Sequence, residues 1–240
     1  MGLFLLAAGC VPAAVYGLRF DGGMPEATEL SAVGGVFPGF AGAAMPLADT
    51  AVVGFQGRQR LSEGVAVALA GGVAADSLEG NPVGVVEIEV QGRVLDEAPV
   101  TLSLLGGVDG YGQVGNEGGL IGVHAGLVVS RHVGGDVRPY LAAKVNPILN
   151  VGDEVFPWVQ YGGGLSWRPE LTPAARGLLA LEASGYRGFG ANLSDREDLV
   201  MWGMMLQVGA SFGNRSALSA RSGADRPDAR IARADCRAAR

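Results

Sequence analysis

Lysine, histidine and cysteine are all scarce in this sequence, and each scarcity excludes something. Lys144 is the only lysine among 240 residues, so the solubilising lysine coat usual on soluble β proteins is missing. His124 and His132 are the only histidines and no cysteine lies near either, so no zinc-binding motif can be assembled in sequence. Cys10 and Cys236 stand near the two ends with none between them, which excludes a disulfide framework for the body of the chain. No uninterrupted apolar run reaches the ~18 residues a membrane-crossing helix needs, so a polytopic helical membrane protein is excluded. Charged residues make up only 18%, against 48% apolar ones, and that balance excludes disorder for most of the length. Forty glycines without a three-residue period exclude collagen. What remains is a β-rich domain, soluble or embedded in lipid.

The two ends differ from the middle. Gly2 to Ala8 is apolar and is followed by small residues, the pattern of an export signal, assigned here to residues 1–20. Val11-Pro12-Ala13-Ala14 fits an ordinary cleavage site, while Leu6-Ala7-Ala8-Gly9-Cys10 is similar to a lipoprotein box that would lipidate Cys10. At the other end, residues 215–240 carry seven arginines against three aspartates and no aromatic residue. Such a stretch cannot bury enough surface to offset ordering and is expected to be a basic, disordered, solvated tail rather than a nucleic-acid binder.

Between them, residues 25–214 read as one domain. Ten runs of about ten residues alternate apolar and polar and end at turn residues, near 28–37, 50–60, 64–74, 83–95, 99–110, 119–131, 136–149, 154–168, 176–189 and 198–212. Strands of soluble sandwiches are typically five or six residues long, whereas tilted membrane strands need about 9–11. The alternation is sharpest where Val86, Ile88 and Val90 oppose Glu87, Glu89, Gln91 and Arg93. Similar splits recur at 120–131, 137–149 and 155–168.

A soluble barrel and a membrane barrel both alternate, and they differ in which face is wet. Glycine crowds the polar faces (Gly122, Gly126, Gly162, Gly164), which suits a packed lumen. Tyr161, Trp167 and Trp202 fall on apolar faces, as interfacial aromatic girdles do. The expectation is an all-β, closed antiparallel up-and-down transmembrane β-barrel of 8–10 strands, apolar outside and ionic within.

Val200, Trp202, Met204, Leu206, Val208, Ala210 and Phe212 alternate with Met201, Gly203, Met205, Gln207, Gly209 and Ser211. This stretch resembles the terminal strand of bacterial outer-membrane β-barrel proteins. Gln207, Gly209 and Phe212 match the polar, glycine and first aromatic places of that superfamily's assembly signal, and Asn214 takes the last. The resemblance implies an outer-membrane location, lipid around the barrel, and the barrel assembly machinery as a partner.

The inferred lumen holds Gln56, Arg58, Glu87, Glu89, Arg93, Asp109, His124, His132, Arg138, Lys144, Arg168 and Glu182. Arg58, Glu87, Glu89, Arg93, Arg138, Lys144, Arg168 and Glu182 are expected to form a charge network, because isolated buried charges are expensive and paired ones are tolerated. Arg58, Arg93 or Arg138 are the expected partners of Glu87 and Glu89. Side chains of this size nearly fill a barrel of eight to ten strands, leaving no continuous pore. Ser130 and His132 share one strand face without the orienting acid a triad needs. Glycine runs at 115–119 and 162–164 precede no helix pattern and so form no phosphate loop. No catalytic residue, cofactor or metal site is expected. The role read from the sequence is structural or surface-interactive, with external contacts from residues 38–49 and 109–118 and with an unknown ligand. The rivals are a narrow porin-like pore and a soluble lipocalin-like binding barrel.

Overall fold

A computed structural model of the chain describes residues 23–37, 50–76, 82–97, 99–113, 119–134, 136–149, 155–188 and 199–213. The expected export segment with Cys10, the expected basic tail and residues 38–49 lie outside these.

Each alternating run becomes a strand: β1 (Thr28–Phe37), β2 (Thr50–Arg60), β3 (Val65–Asp76), β4 (Val83–Glu97), β5 (Val100–Gln113), β6 (Gly119–Arg131), β7 (Val137–Leu149), β8 (Val155–Trp167), β10 (Ala175–Gly188) and β11 (Leu199–Phe212). A three-residue strand, β9 (Glu170–Thr172), folds back on the start of β10 and was not foreseen. Among the described residues there is no helix. Each long strand pairs antiparallel with the next in sequence, and β11 pairs with both β10 and β1, which closes ten strands into a barrel. Asp109 to Gln113, expected in an external loop, continue β5 instead, because the alternation carries on past the glycines that suggested a turn.

The register fixes the geometry. Followed from Glu29 through Arg58, Ala68, Glu89, Gly107 and onward around the wall, the ladder returns to β1 about twelve residues further along. Ten strands with that shear tilt by about 40° and stand about 10 Å from the axis. At that tilt, strands of 10 to 15 residues cross a height comparable to the hydrocarbon layer.

The faces sort as a wall apolar outside and ionic within requires. Ile88 is 48% exposed on the outer wall and its neighbour Glu89 is 1% exposed inside. Every barrel strand presents a large apolar side chain outward, among them Leu30, Phe55, Leu69, Leu104, Leu127, Leu141, Leu165, Leu181 and Leu206. Trp167 and Phe212 mark the end of the wall where β1 begins, and Trp202, edge-on to Tyr161 with ring centres 5.5 Å apart, marks the opposite end. The interior is lined by Ser, Gln, Glu, Arg and Lys side chains with Ala and Val between them.

Candidate functional site: the barrel lumen

Small residues on the inner faces decide where the long polar ones go. The inner face of β3 is alanine (Ala66, Ala68, Ala70), so Arg58 on β2 can reach past it to β4. Its Nη2 donates to Gln91 Oε1 at 2.5 Å and to the Gly23 carbonyl at 2.7 Å, and its Nη1 donates to Glu29 Oε1 at 2.9 Å. Glu29 Oε2 accepts from Arg168 Nη1 at 2.5 Å, and Gln91 Nε2 donates to Ser103 Oγ at 3.1 Å. This tier runs from the end of β8 through β1, β2 and β4 to β5. It crosses the lumen near the end where β1 begins. Pro25 and Gly23, ahead of β1, are buried in the same end.

A second tier lies nearer the opposite end. Gly107 on β5 pairs with His124 on β6, and a Cβ built on Gly107 would stand 2.7 Å from His124 Cε1 and Nε2. Lacking that carbon, Gly107 lets the imidazole lie over β5 toward β4. Gly126 does the same for Lys144 on β7, whose Cγ would be 2.8 Å from a Cβ there. Both side chains therefore lean onto the two glutamates of β4. Lys144 Nζ donates to Glu89 Oε2 at 2.5 Å and approaches Glu87 Oε1 at 3.5 Å. His124 Nε2 stands 2.8 Å from Glu89 Oε2 and 3.6 Å from Glu87 Oε1. On its other side, His124 Nδ1 is 2.8 Å from Asp109 Oδ1, and Asn146 Nδ2 donates to Asp109 Oδ2 at 2.8 Å.

Two smaller bridges fill the space between. Tyr140 Oη donates to Glu182 Oε2 at 2.9 Å, crossing β8 above Gly164. Gln207 Nε2 donates to Ser31 Oγ at 2.7 Å and Gln56 Oε1 at 3.0 Å.

Set against the sequence expectations, the lumen gathers Arg58, Glu87, Glu89, Lys144, Arg168 and Glu182 into these bridges. Arg93 is at the rim, paired with the exposed Asp96, and Arg138 is half-buried. His132 is exposed beyond the end of β6, whereas Ser130 is buried, so the two do not share a site. Glu87 and Glu89 both meet Lys144 and His124, two partners that the sequence reading did not assign to them. Glu29, the carboxylate between two guanidiniums, was missed because it opens β1 next to a turn and its face alternates weakly. Of the assembly-signal residues, Gln207 points into the lumen and Phe212 outward.

No protein-family model matches the chain, and no curated protein sequence matches it. Among solved structures, it is similar to the outer-membrane protease OmpT from Escherichia coli, at 11% identity over 79% of this chain and 97% of that one, with a TM-score of 0.35. It is also similar to a bacterial polysaccharide outer-membrane secretin at 8% identity over 79% and 100% of the two chains, with a TM-score of 0.45. The β domain of the Bordetella autotransporter BrkA matches at 12% identity over 78% and 99%, with a TM-score of 0.43.

Proposed function

We propose that this chain is an integral β-barrel of the bacterial outer membrane whose lumen is a sealed core, with a structural or surface-interactive role and no catalysis. In this reading it is exported by its N-terminal segment and inserted by the barrel assembly machinery with help from Gln207, Gly209 and Phe212. It then stands in lipid through its apolar wall. The observation that carries the reading is the pair of lumen tiers. Arg168, Glu29, Arg58, Gln91 and Ser103 span the barrel at one level, and Lys144, His124, Glu87, Glu89 and Asp109 span it at another. With a wall about 10 Å from the axis, two side chains of this length meeting end to end use up the bore.

The outward aliphatic wall argues against the soluble lipocalin-like alternative, which needs that surface inside. The test is a planar-bilayer recording of the full chain beside a heat-modifiability gel of the membrane fraction. Sealed barrels give a heat-modifiable band in membranes and no steady conductance steps. Stable steps from the unaltered protein would replace this reading with a porin-like pore.

A further inference from the structure

We propose that Arg131, with Trp167 beside it on the outer wall, binds the phosphate of a glycerophospholipid in the leaflet at the end where β1 begins. This rests on the membrane reading above and names the lipid head group that this part of the wall takes.

The pleat of β6 decides where Arg131 points. Ile121, Val123, Leu127 and Val129 are exposed on the outer face of that strand, whereas His124, Val128 and Ser130 between them are buried. Arg131 closes the strand one step after Ser130, so it continues the outward row and is exposed. The other arginines at this end stand on inner rows. Arg58 and Arg168 are buried, Arg93 pairs with the buried Ser103, Arg138 with the buried Ser166 and Arg176 with the buried Ser211. Among the described side chains, Arg131 is thus the one cation turned outward at this end of the wall.

Its surroundings are apolar. Val100 lies opposite it on β5, and Val129 precedes it on its own face. On the two following strands the outer face carries Leu141, Leu165 and Trp167, which are 69%, 51% and 46% exposed. Ser130 pairs with Tyr140 and Val137 with Trp167, which places Trp167 two strands over and about two residues nearer the strand ends. That separation is roughly 12 Å between Cα atoms, and the long arginine stem covers much of it. Val133, in the turn just past β6, is exposed as well.

Among the described residues no hydrogen bond or ion pair engages the Arg131 guanidinium, in contrast to Arg58, Arg93, Arg168 and Arg176. A cation on an apolar wall needs an anion or water at the wall's edge. The anion a lipid leaflet supplies there is phosphate, which a guanidinium grips with two parallel hydrogen bonds. Indoles such as Trp167 settle at the same head-group level, and Val129, Leu141 and Leu165 are left for the acyl chains. The connections at this end, 61–64, 98–99, 132–136 and 168–174, are on the whole shorter than those at the other, led by 38–49 and 189–198. In outer-membrane barrels the short turns face the periplasm, so the leaflet in question is the periplasmic one.

The experiment reads one indole. With Trp158→Phe and Trp202→Phe, Trp167 is the only tryptophan in the full chain. This chain is folded into phosphatidylcholine vesicles containing a minor share of phosphatidylglycerol, with bromine atoms on the chains of one lipid or the other to quench nearby indoles. Quenching of Trp167 should report about a fivefold preference for phosphatidylglycerol, the size expected of one basic residue at an anionic lipid surface, and high salt should shrink it. Arg131→Gln should abolish the preference while keeping the heat-modifiable band and the quenching by brominated phosphatidylcholine. Arg187→Gln, which removes an exposed arginine near the opposite end of β10, should leave it unchanged. Equal quenching by the two lipids, a preference that survives Arg131→Gln, or an equal loss in Arg187→Gln would overturn the proposal with the barrel still in the membrane. No quenching by either lipid would overturn the membrane reading and the proposal with it.

Discussion

Lys144 on β7 and Glu89 on β4 meet three strands apart, Nζ to Oε2 at 2.5 Å, with side chains 5% and 1% exposed. A chord of this kind ties two walls of the barrel that share no backbone ladder. Its loss should therefore be felt far beyond one strand.

Lys144→Met should destabilise the barrel by about 3–5 kcal/mol, the usual result of leaving one partner of a buried ion pair uncompensated. The double variant Lys144→Met with Glu89→Gln should recover a large part of that loss, because the orphaned charge goes with it. Urea midpoints in micelles for the two singles and the double give the coupling. If the double simply sums the singles, the chord contributes nothing of its own.

The orientation of the wall makes a sharper demand at Ile88, midway along β4 and facing outward. Ile88→Arg should cost about 2–4 kcal/mol of stability in lipid vesicles, because it places a charge at the depth of the hydrocarbon. In a barrel with a wet exterior the same change would be near neutral. Folding yield in vesicles, read by cold-gel migration against the unaltered chain, separates these outcomes.

How far the sequence could be read follows from what period two can and cannot encode. Strands such as 83–97 declare both their existence and their inner face, because Glu87 and Glu89 alternate with Val86, Ile88 and Val90 without a break. The ends slip by one to three residues where glycines blur the pattern, as at Gly110 and Gly112 of β5. Pairing between distant strands is a different matter. Whether Glu89 meets an arginine or Lys144 depends on the shear of the closed sheet and on which inner positions lack a Cβ. Gly107 and Gly126 are read in sequence only as generic lumen filling. Their effect, letting His124 and Lys144 lean toward β4, becomes visible once the register sets them beside those residues.

Those glycines give a prediction of their own. Gly164→Ala should dislodge Tyr140 and strain the β8–β10 ladder, since the new carbon would stand 2.5 Å from Tyr140 Oη, 2.6 Å from its Cζ and 2.5 Å from the Leu181 carbonyl oxygen. The bridge from Tyr140 to Glu182 at 2.9 Å would then be lost. Overpacking of this kind costs about 1–3 kcal/mol. Tyr140→Phe removes only the hydroxyl and so should cost less than Gly164→Ala. The reverse order of unfolding midpoints would show that the hydrogen bond, not the space above Gly164, governs this part of the lumen.

The tier near the start of β1 converges on Glu29, whose two oxygens take one guanidinium each, Arg58 at 2.9 Å and Arg168 at 2.5 Å. Glu29→Gln keeps the shape but removes the negative charge that lies between the two arginines. Arg58 is 1% exposed in its side chain and cannot turn to water, whereas Arg168 is 11% exposed and sits next to the rim. The unfavourable charge left behind is therefore mainly that of Arg58. Glu29→Gln should lose about 3–5 kcal/mol, and Arg168→Gln should lose distinctly less, because it leaves Glu29 still paired with Arg58. The same asymmetry should appear in the sealing of the bore. Glu29→Gln should admit a small water-soluble thiol reagent to a cysteine placed at Ser103, in a background with Cys10 and Cys236 changed to serine, faster than Arg168→Gln does. Equal labelling rates in the two variants would mean that the buried segment around Pro25, rather than the Glu29 ion pairs, closes this end of the barrel.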